Sequence, residues 1–199
     1  MKEIIIAITG PSGIGKTTLG NKLKEKNGFM TPIHSTTRAA RADDEKGFYR
    51  YLSHDEFNYY VRNKQFLFWS GDNEIVDIKY GNYYGVLNKD YDKLKNEKKI
   101  IIFISYKDIN RIYELIKNGY NIKIVNLVYS DIEKNMPFRL NNSNRMHSPD
   151  DIKRRIKCAI DYEKKYGYIM SSYDILKLYG DILDSEQVYD EIVKKLIRK

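Results

Sequence analysis

Gly10-Pro11-Ser12-Gly13-Ile14-Gly15-Lys16-Thr17 follows directly on the apolar run Ile4–Ile8 and satisfies every fixed position of the phosphate-binding pattern G-x-x-x-x-G-K-[ST]. The flanks are those the mechanism needs. Glu3–Thr9 reads as a buried strand, and Leu19 and Leu23 begin a helical pattern behind the loop. Glycines let consecutive backbone N–H groups close around a phosphate chain, and the helix start adds partial positive charge. Lys16 adds a full charge and the Thr17 hydroxyl can ligate Mg²⁺. Gly10, Ser12, Gly13, Ile14, Gly15, Lys16, Thr17 and Thr18 are therefore read as the cradle of a nucleoside triphosphate.

Outward from the loop, the chain alternates helical and strand patterns, which implies an α/β fold with a parallel sheet. A helix is expected over about Lys16–Lys26 and a short strand near Phe29–His34. The alternation then stops for an aromatic, turn-rich region, with Tyr49–Ser53, a helical stretch His54–Lys64, Phe66–Ser70, and a hairpin ending at Gly81–Gly85. It resumes with a helix near Lys89–Glu97, strand Lys99–Ser105, a helix near Asn110–Lys117 and strand Asn121–Tyr129. A polar, arginine-bearing stretch, Asp131–Asp151, leads to a long helix over about Asp150–Tyr166, a strand Asp174–Leu178 and a closing helix Glu186–Ile197. The expected organisation is a P-loop core (1–34, 87–130 and 158–199), an insert (35–86) and a lid running into the long helix (131–157).

The 199 residues, 42% hydrophobic and 31% charged, support a core and exclude a disordered chain. The longest apolar run, Ile100–Ile104, is strand-sized, so no membrane span is expected. Met1-Lys2-Glu3 leads straight into the first strand, so no signal peptide is expected. A single cysteine, Cys158, excludes an internal disulfide, fits a reducing cytoplasm, and is expected to be buried in its helix. The net charge of +8 is spread over many segments with acids interleaved, which argues for an anionic small-molecule ligand rather than nucleic acid. His54 is read as capping or packing near the start of its helix, His147 falls in the polar lid segment, and no His, Cys and acidic spacing predicts a structural metal.

A second constellation lies in the insert: Ser35-Thr36-Thr37-Arg38-Ala39-Ala40-Arg41, then Gly47-Phe48-Tyr49, and later Gly81-Asn82-Tyr83-Tyr84-Gly85. Two arginines at this spacing can face one anion, and tyrosine hydroxyls can complete a cage without adding charge. With Gly10–Thr18 and Phe66-Leu67-Phe68-Trp69, these segments stand in the order of the guanylate kinase family, which the chain resembles over nearly its whole length. The resemblance implies a P-loop core of parallel sheet and flanking helices, a β-rich acceptor-binding insert and an arginine-bearing lid. It implies transfer of the γ-phosphoryl of ATP, with Mg²⁺, to a phosphate acceptor. Ser35, Arg38, Arg41, Tyr49 and Tyr84 would bind that acceptor's phosphate, Lys16 would bridge the donor phosphates, and Arg139, Arg145 and Arg155 would close on the transferring group, with Arg154 as an alternative to Arg155. No general base is needed when the acceptor is an ionised phosphate.

The departures from the family cluster on the base side. The glutamate before the tryptophan of the family's F-x-E-W segment is Phe68 here; the serine before S-T-T-R is His34; the hydroxyl residue after G-N-Y-Y-G is Val86; the two aspartates ending the core strand are Phe103 and Ser105. None of these supplies a carboxylate for the guanine N–H donors, and a buried unpaired donor costs about 1–3 kcal/mol. Asp72, Glu74 or Asp77 could substitute from the long segment after Trp69, and Asp108 could stand in on the Mg²⁺ side. Three readings follow: a nucleoside monophosphate kinase for GMP or another nucleotide, a related kinase for a phosphorylated sugar such as ribose bisphosphate, or a non-catalytic binding module. The intact P-loop argues against the last. The altered base side tilts the choice toward an acceptor other than GMP or a relaxed choice of base.

Overall fold

The computed structural model describes residues 3–42, 44–71, 81–94, 96–143, 147–171 and 174–197. In chain order the elements are β1 (Ile4–Thr9), α1 (Lys16–Asn27), β2 (His34–Thr36), β3 (Tyr49–Tyr51), α2 (His54–Arg62), β4 (Phe66–Gly71), β5 (Tyr83–Leu87), α3 (Asn88–Asp92) and β6 (Lys99–Phe103). A 3₁₀ turn (Tyr106–Asp108) follows, then α4 (Ile109–Lys117), β7 (Ile122–Val128), α5 (Ile132–Asn141), α6 (Pro149–Ser171), β8 (Ile175–Tyr179) and α7 (Ser185–Ile192). A last helical turn, Val193–Ile197, continues α7.

The core sheet is parallel, in the order β6-β1-β7-β8. Its strands are near-continuous aliphatic runs, the pattern of strands covered on both faces. Ile6, Ala7 and Ile8 of β1 and Ile100 and Ile101 of β6 are essentially inaccessible to solvent. β7 and β8 pair in parallel from Ile124 with Ile175 to Val128 with Tyr179. The strand expected over Phe29–His34 is reduced to an isolated bridge, Met30 with Ile100, and three residues of β2. Pro32 lies between them and has no N–H to give to a ladder.

Contacts divide the chain into two compact units, residues 1–5 with 30–121, and residues 6–29 with 122–199. The first contains the insert as a second sheet, in the order β3-β2-β5-β4. β2 pairs parallel with β3 and antiparallel with β5, and β5 pairs antiparallel with β4. A bulge at Leu67 shifts the β4 register between Phe66 and Phe68. It puts Phe66 and Trp69 on the face that packs with Tyr83 against Phe57 of α2, and Phe68 and Ser70 on the other. Gly85 is required at this crossing: a Cβ there would lie 2.7 Å from the Phe68 carbonyl oxygen and 2.8 Å from the Trp69 Cβ. Ser53 and Glu56 form a reciprocal capping box at the start of α2.

The second unit contains the P-loop, α1, α5, α6 and the C-terminal helix. The stretch after β7, read from sequence as an irregular lid, begins with α5; Asp131 caps it by accepting from the Lys134 N–H at 3.0 Å. Pro137 within that helix obscures the helical pattern in the sequence. In α6, Ile152, Ala159 and Tyr166 are buried seven residues apart, one stripe of the helix. Cys158 lies beside that stripe and is exposed, contrary to the expectation that it is buried. No helix among the described residues is long and apolar enough to cross a membrane.

Candidate active site

The loop expected to hold the donor phosphates follows the end of β1. Gly10, Gly13 and Gly15 adopt φ of 141°, 75° and 105°, values that strain any residue with a side chain. A Cβ at Gly10 would also sit 2.3 Å from the Leu127 carbonyl oxygen. No side chain caps α1 and no acid stands in its first turn, so neither the cap nor that turn offsets the helix's N-terminal N–H groups and dipole. Lys16 Nζ donates to the carbonyls of Gly10 and Pro11, 2.8 Å each. Burial, with the Arg155 charge second, lowers its pKa from 10.5 to about 8. Thr17 and Thr18 are exposed at the start of α1.

Two of the three arginines expected to close on the phosphoryl group reach this loop. Arg155 donates from Nη1 to the Ser12 Oγ at 2.7 Å, and from Nε to Asp151 at 2.7 Å. Asp151 also holds Arg154 and His147. Burial alone would raise the Asp151 pKa, but these bonds, Arg155's foremost, hold it well below the usual carboxylate range. Between Arg154 and Arg155, Arg155 is the residue on the P-loop, while Arg154 points to solvent. Arg139 of α5 bonds the Gly180 carbonyl, and its Nη2 would be 3.8 Å from a Cβ at Gly15. Arg145 lies outside the described residues, as do Asp72, Glu74 and Asp77.

The residues expected to bind the acceptor lie on the second sheet. Register places Tyr49, His34, Val86 and Phe68 in one row across four strands, and Tyr51, Thr36, Tyr84 and Ser70 two residues on, all on the face away from Phe57. Arg38 sits against this face, its guanidinium 5.0 Å from the Tyr49 ring centre, with Tyr84 bearing on it electrostatically. An anion seat is already formed there, and Asp44 occupies it. Its carboxylate accepts from Arg38 Nη2 at 2.9 and 3.0 Å, from the Tyr51 hydroxyl at 2.7 Å and from the Arg41 backbone N–H at 2.8 Å. Burial pushes the Asp44 carboxyl upward, but these bonds outweigh it and bring its pKa to about 2. Tyr51 thus belongs to the cage. Arg41 brings its N–H to the seat with its side chain exposed. Ser35 is fully buried on the opposite face of β2, toward α2, and does not look into the cage.

The altered base-side positions fall together. Phe68 and Val86 are buried and apolar. His34 is buried with both ring nitrogens engaged: Nε2 accepts from the Phe103 N–H at 3.1 Å, so Nδ1 carries the proton and donates to the Pro32 carbonyl at 3.0 Å. Its ring stacks on Phe48, 5.0 Å between centres, and leans on Phe103. His34 is therefore spent on structure and offers a base no free nitrogen. At the end of the neighbouring row Ser70 meets Ser105 (Oγ to Oγ 3.0 Å) and Asp108 (3.1 Å).

A phosphate cradle at one helix start and an arginine–tyrosine anion seat on a separate sheet are the parts of a phosphotransferase whose acceptor is itself a phosphate; the class is that of ATP-dependent nucleoside monophosphate kinases. Within that class the chain belongs to the guanylate kinase family, whose model matches residues 1–191. It is 28% identical over 204 residues to guanylate kinase of Clostridium tetani, spanning 98% of this chain and 92% of that one. It is 32% identical over 169 residues to guanylate kinase of Hydrogenovibrio crunogenus, spanning 83% and 77%. The crystal structure of guanylate kinase from Anaplasma phagocytophilum superposes with a TM-score of 0.67 at 20% identity, covering 98% of this chain and 85% of that one, a likeness of fold. A sugar phosphate as acceptor finds no support among these relatives.

Proposed function

We propose that the chain transfers the γ-phosphoryl group of ATP to GMP, giving ADP and GDP. The observation that carries the acceptor assignment is the seat on the insert sheet, where Arg38, Tyr51 and the Arg41 N–H surround a carboxylate as they would a phosphate. The choice of GMP among nucleotides follows the relatives, which are named guanylate kinases. The donor triphosphate lies along the Gly10–Thr18 loop and the start of α1, with Lys16 turned from the loop carbonyls onto the phosphates. Arg155 and Arg139 neutralise the charge that spreads over the equatorial oxygens of the transferring group, and Arg145 is assigned the same task. The acceptor's phosphate takes the Arg38 seat from Asp44, with Arg41, Tyr49 and Tyr84 around it. Its oxygen attacks in line, so no side chain has to remove a proton.

Mg²⁺ fits this donor set. The ion keeps several waters and takes most of its other ligands from phosphates, and the exposed Thr17 hydroxyl supplies the protein's oxygen. When bound with ATP it would draw charge from the β- and γ-phosphates.

Coupled ADP release with Mg-ATP against GMP, dGMP, AMP, CMP, UMP and dTMP tests the assignment. GMP and dGMP are expected to turn over well above the rest. Turnover confined to another nucleotide would refute GMP as the acceptor.

A further inference from the structure

The carboxylate that position 105 lacks is present three residues later. Asp108 ends the 3₁₀ turn after β6, and its Oδ2 accepts from the Ser105 N–H at 2.7 Å and the Ser70 hydroxyl at 3.1 Å. Only 2% of Asp108 is exposed, and its second oxygen, Oδ1, has no hydrogen-bond partner among the described residues. A buried carboxylate oxygen without a partner is costly, so retaining it calls for a reason. The group's place supplies one. Ser70 follows Phe68 by two residues on the same sheet face and pairs directly with Tyr84 of the acceptor cage. Asp108 therefore stands beside Ser70, at the edge of the row next to the altered one. Phe68, Val86 and His34 give a base no acceptor there, and among the described residues the Ser70–Asp108 pair places a carboxylate beside them.

We propose that Asp108, through Oδ1 and the Ser70 hydroxyl it holds, is the specificity-determining residue that receives the N1–H and N2–H donors of guanine. This rests on the functional reading above and assigns within it the group that separates GMP from AMP, whose Watson–Crick edge presents no such pair of donors. Burial raises the Asp108 pKa to about 6, against the bonds from Ser105 and Ser70, so the carboxylate is ionised at neutral pH and protonated below 6. Arg111 is the charged group bearing on it; the Lys107 ammonium is turned to the Gly71 carbonyl at 2.7 Å.

The test is the ratio of kcat/KM for GMP to that for AMP, measured on the whole chain and on Asp108→Asn. The variant is expected to lose about 10- to 100-fold for GMP, the size of a lost hydrogen bond to a charged group, with AMP and the ATP KM unchanged. Because a buried substitution can disturb the fold, the same ratio is also read on the unaltered chain from pH 8 to pH 5. It should fall as pH drops through about 6, and the phosphate ionisation common to both nucleotides cancels in it. A ratio flat with pH, or GMP and AMP falling together in the variant with the ATP KM, would overturn the proposal while GMP turnover stands. An unaltered chain that phosphorylates neither nucleotide would overturn the functional reading and this inference with it.

Discussion

Lys16 and Asp44 each show how a local charge environment sets what the site can bind. Burial leaves Lys16 a pKa of about 8, so it loses its charge as pH rises through that value. Affinity for ATP should then drop between pH 7 and pH 9, and titration calorimetry at fixed Mg²⁺ reads it; a flat profile would remove the Lys16 charge from donor binding. Lys16→Ala should abolish turnover with little change in thermal midpoint. Asp44 poses the opposite case. It keeps its charge at neutral pH and lies on the Arg38 guanidinium, the group proposed above for the acceptor's phosphate. Asp44→Asn should lower the acceptor KM several-fold at constant kcat; a raised KM would make Asp44 the clamp that aims Arg38. Lys16 was legible from motif spacing alone. Asp44 was not, because its role rests on bonds to Arg38 and Tyr51 that only the folded insert brings together.

At the scale of elements, the insert sheet depends on a bulge and a glycine. The Leu67 bulge turns Phe68 toward the acceptor face and Trp69 toward α2, and Gly85 lets β4 and β5 approach. Gly85→Ala should destabilise the protein by about 1–3 kcal/mol, as forced overpacking does. It should also raise the acceptor KM while leaving ATP affinity near its original value; thermal unfolding and the two KM values check this. The strands of the core were legible because β1, β6 and β7 are unbroken aliphatic runs. The bulge register was not, since nothing in Phe66–Gly71 marks which residue is extra. Helix α5 was hidden by Pro137, although the cap at Asp131 was a usable signal.

Across the whole molecule, the P-loop, Arg139 and Arg155 fall in one compact unit, and Arg38, Tyr49, Tyr51, Tyr84 and Asp108 in the other. Groups that share no partner behave additively. Lys16→Ala should therefore leave GMP binding intact, and Arg38→Ala should leave ATP binding intact, each read by calorimetry. The family was legible because its order of motifs runs the length of the chain. The base side resisted reading because four altered positions say what is absent, while the buried carboxylate that lies nearby is offset by three residues in sequence. The central claim is transfer of a phosphoryl group to a nucleotide, and the most direct measurement follows the label from γ-³²P-ATP in the presence of Mg²⁺ and GMP. Label recovered in GDP is the predicted result; label recovered only as inorganic phosphate would contradict it.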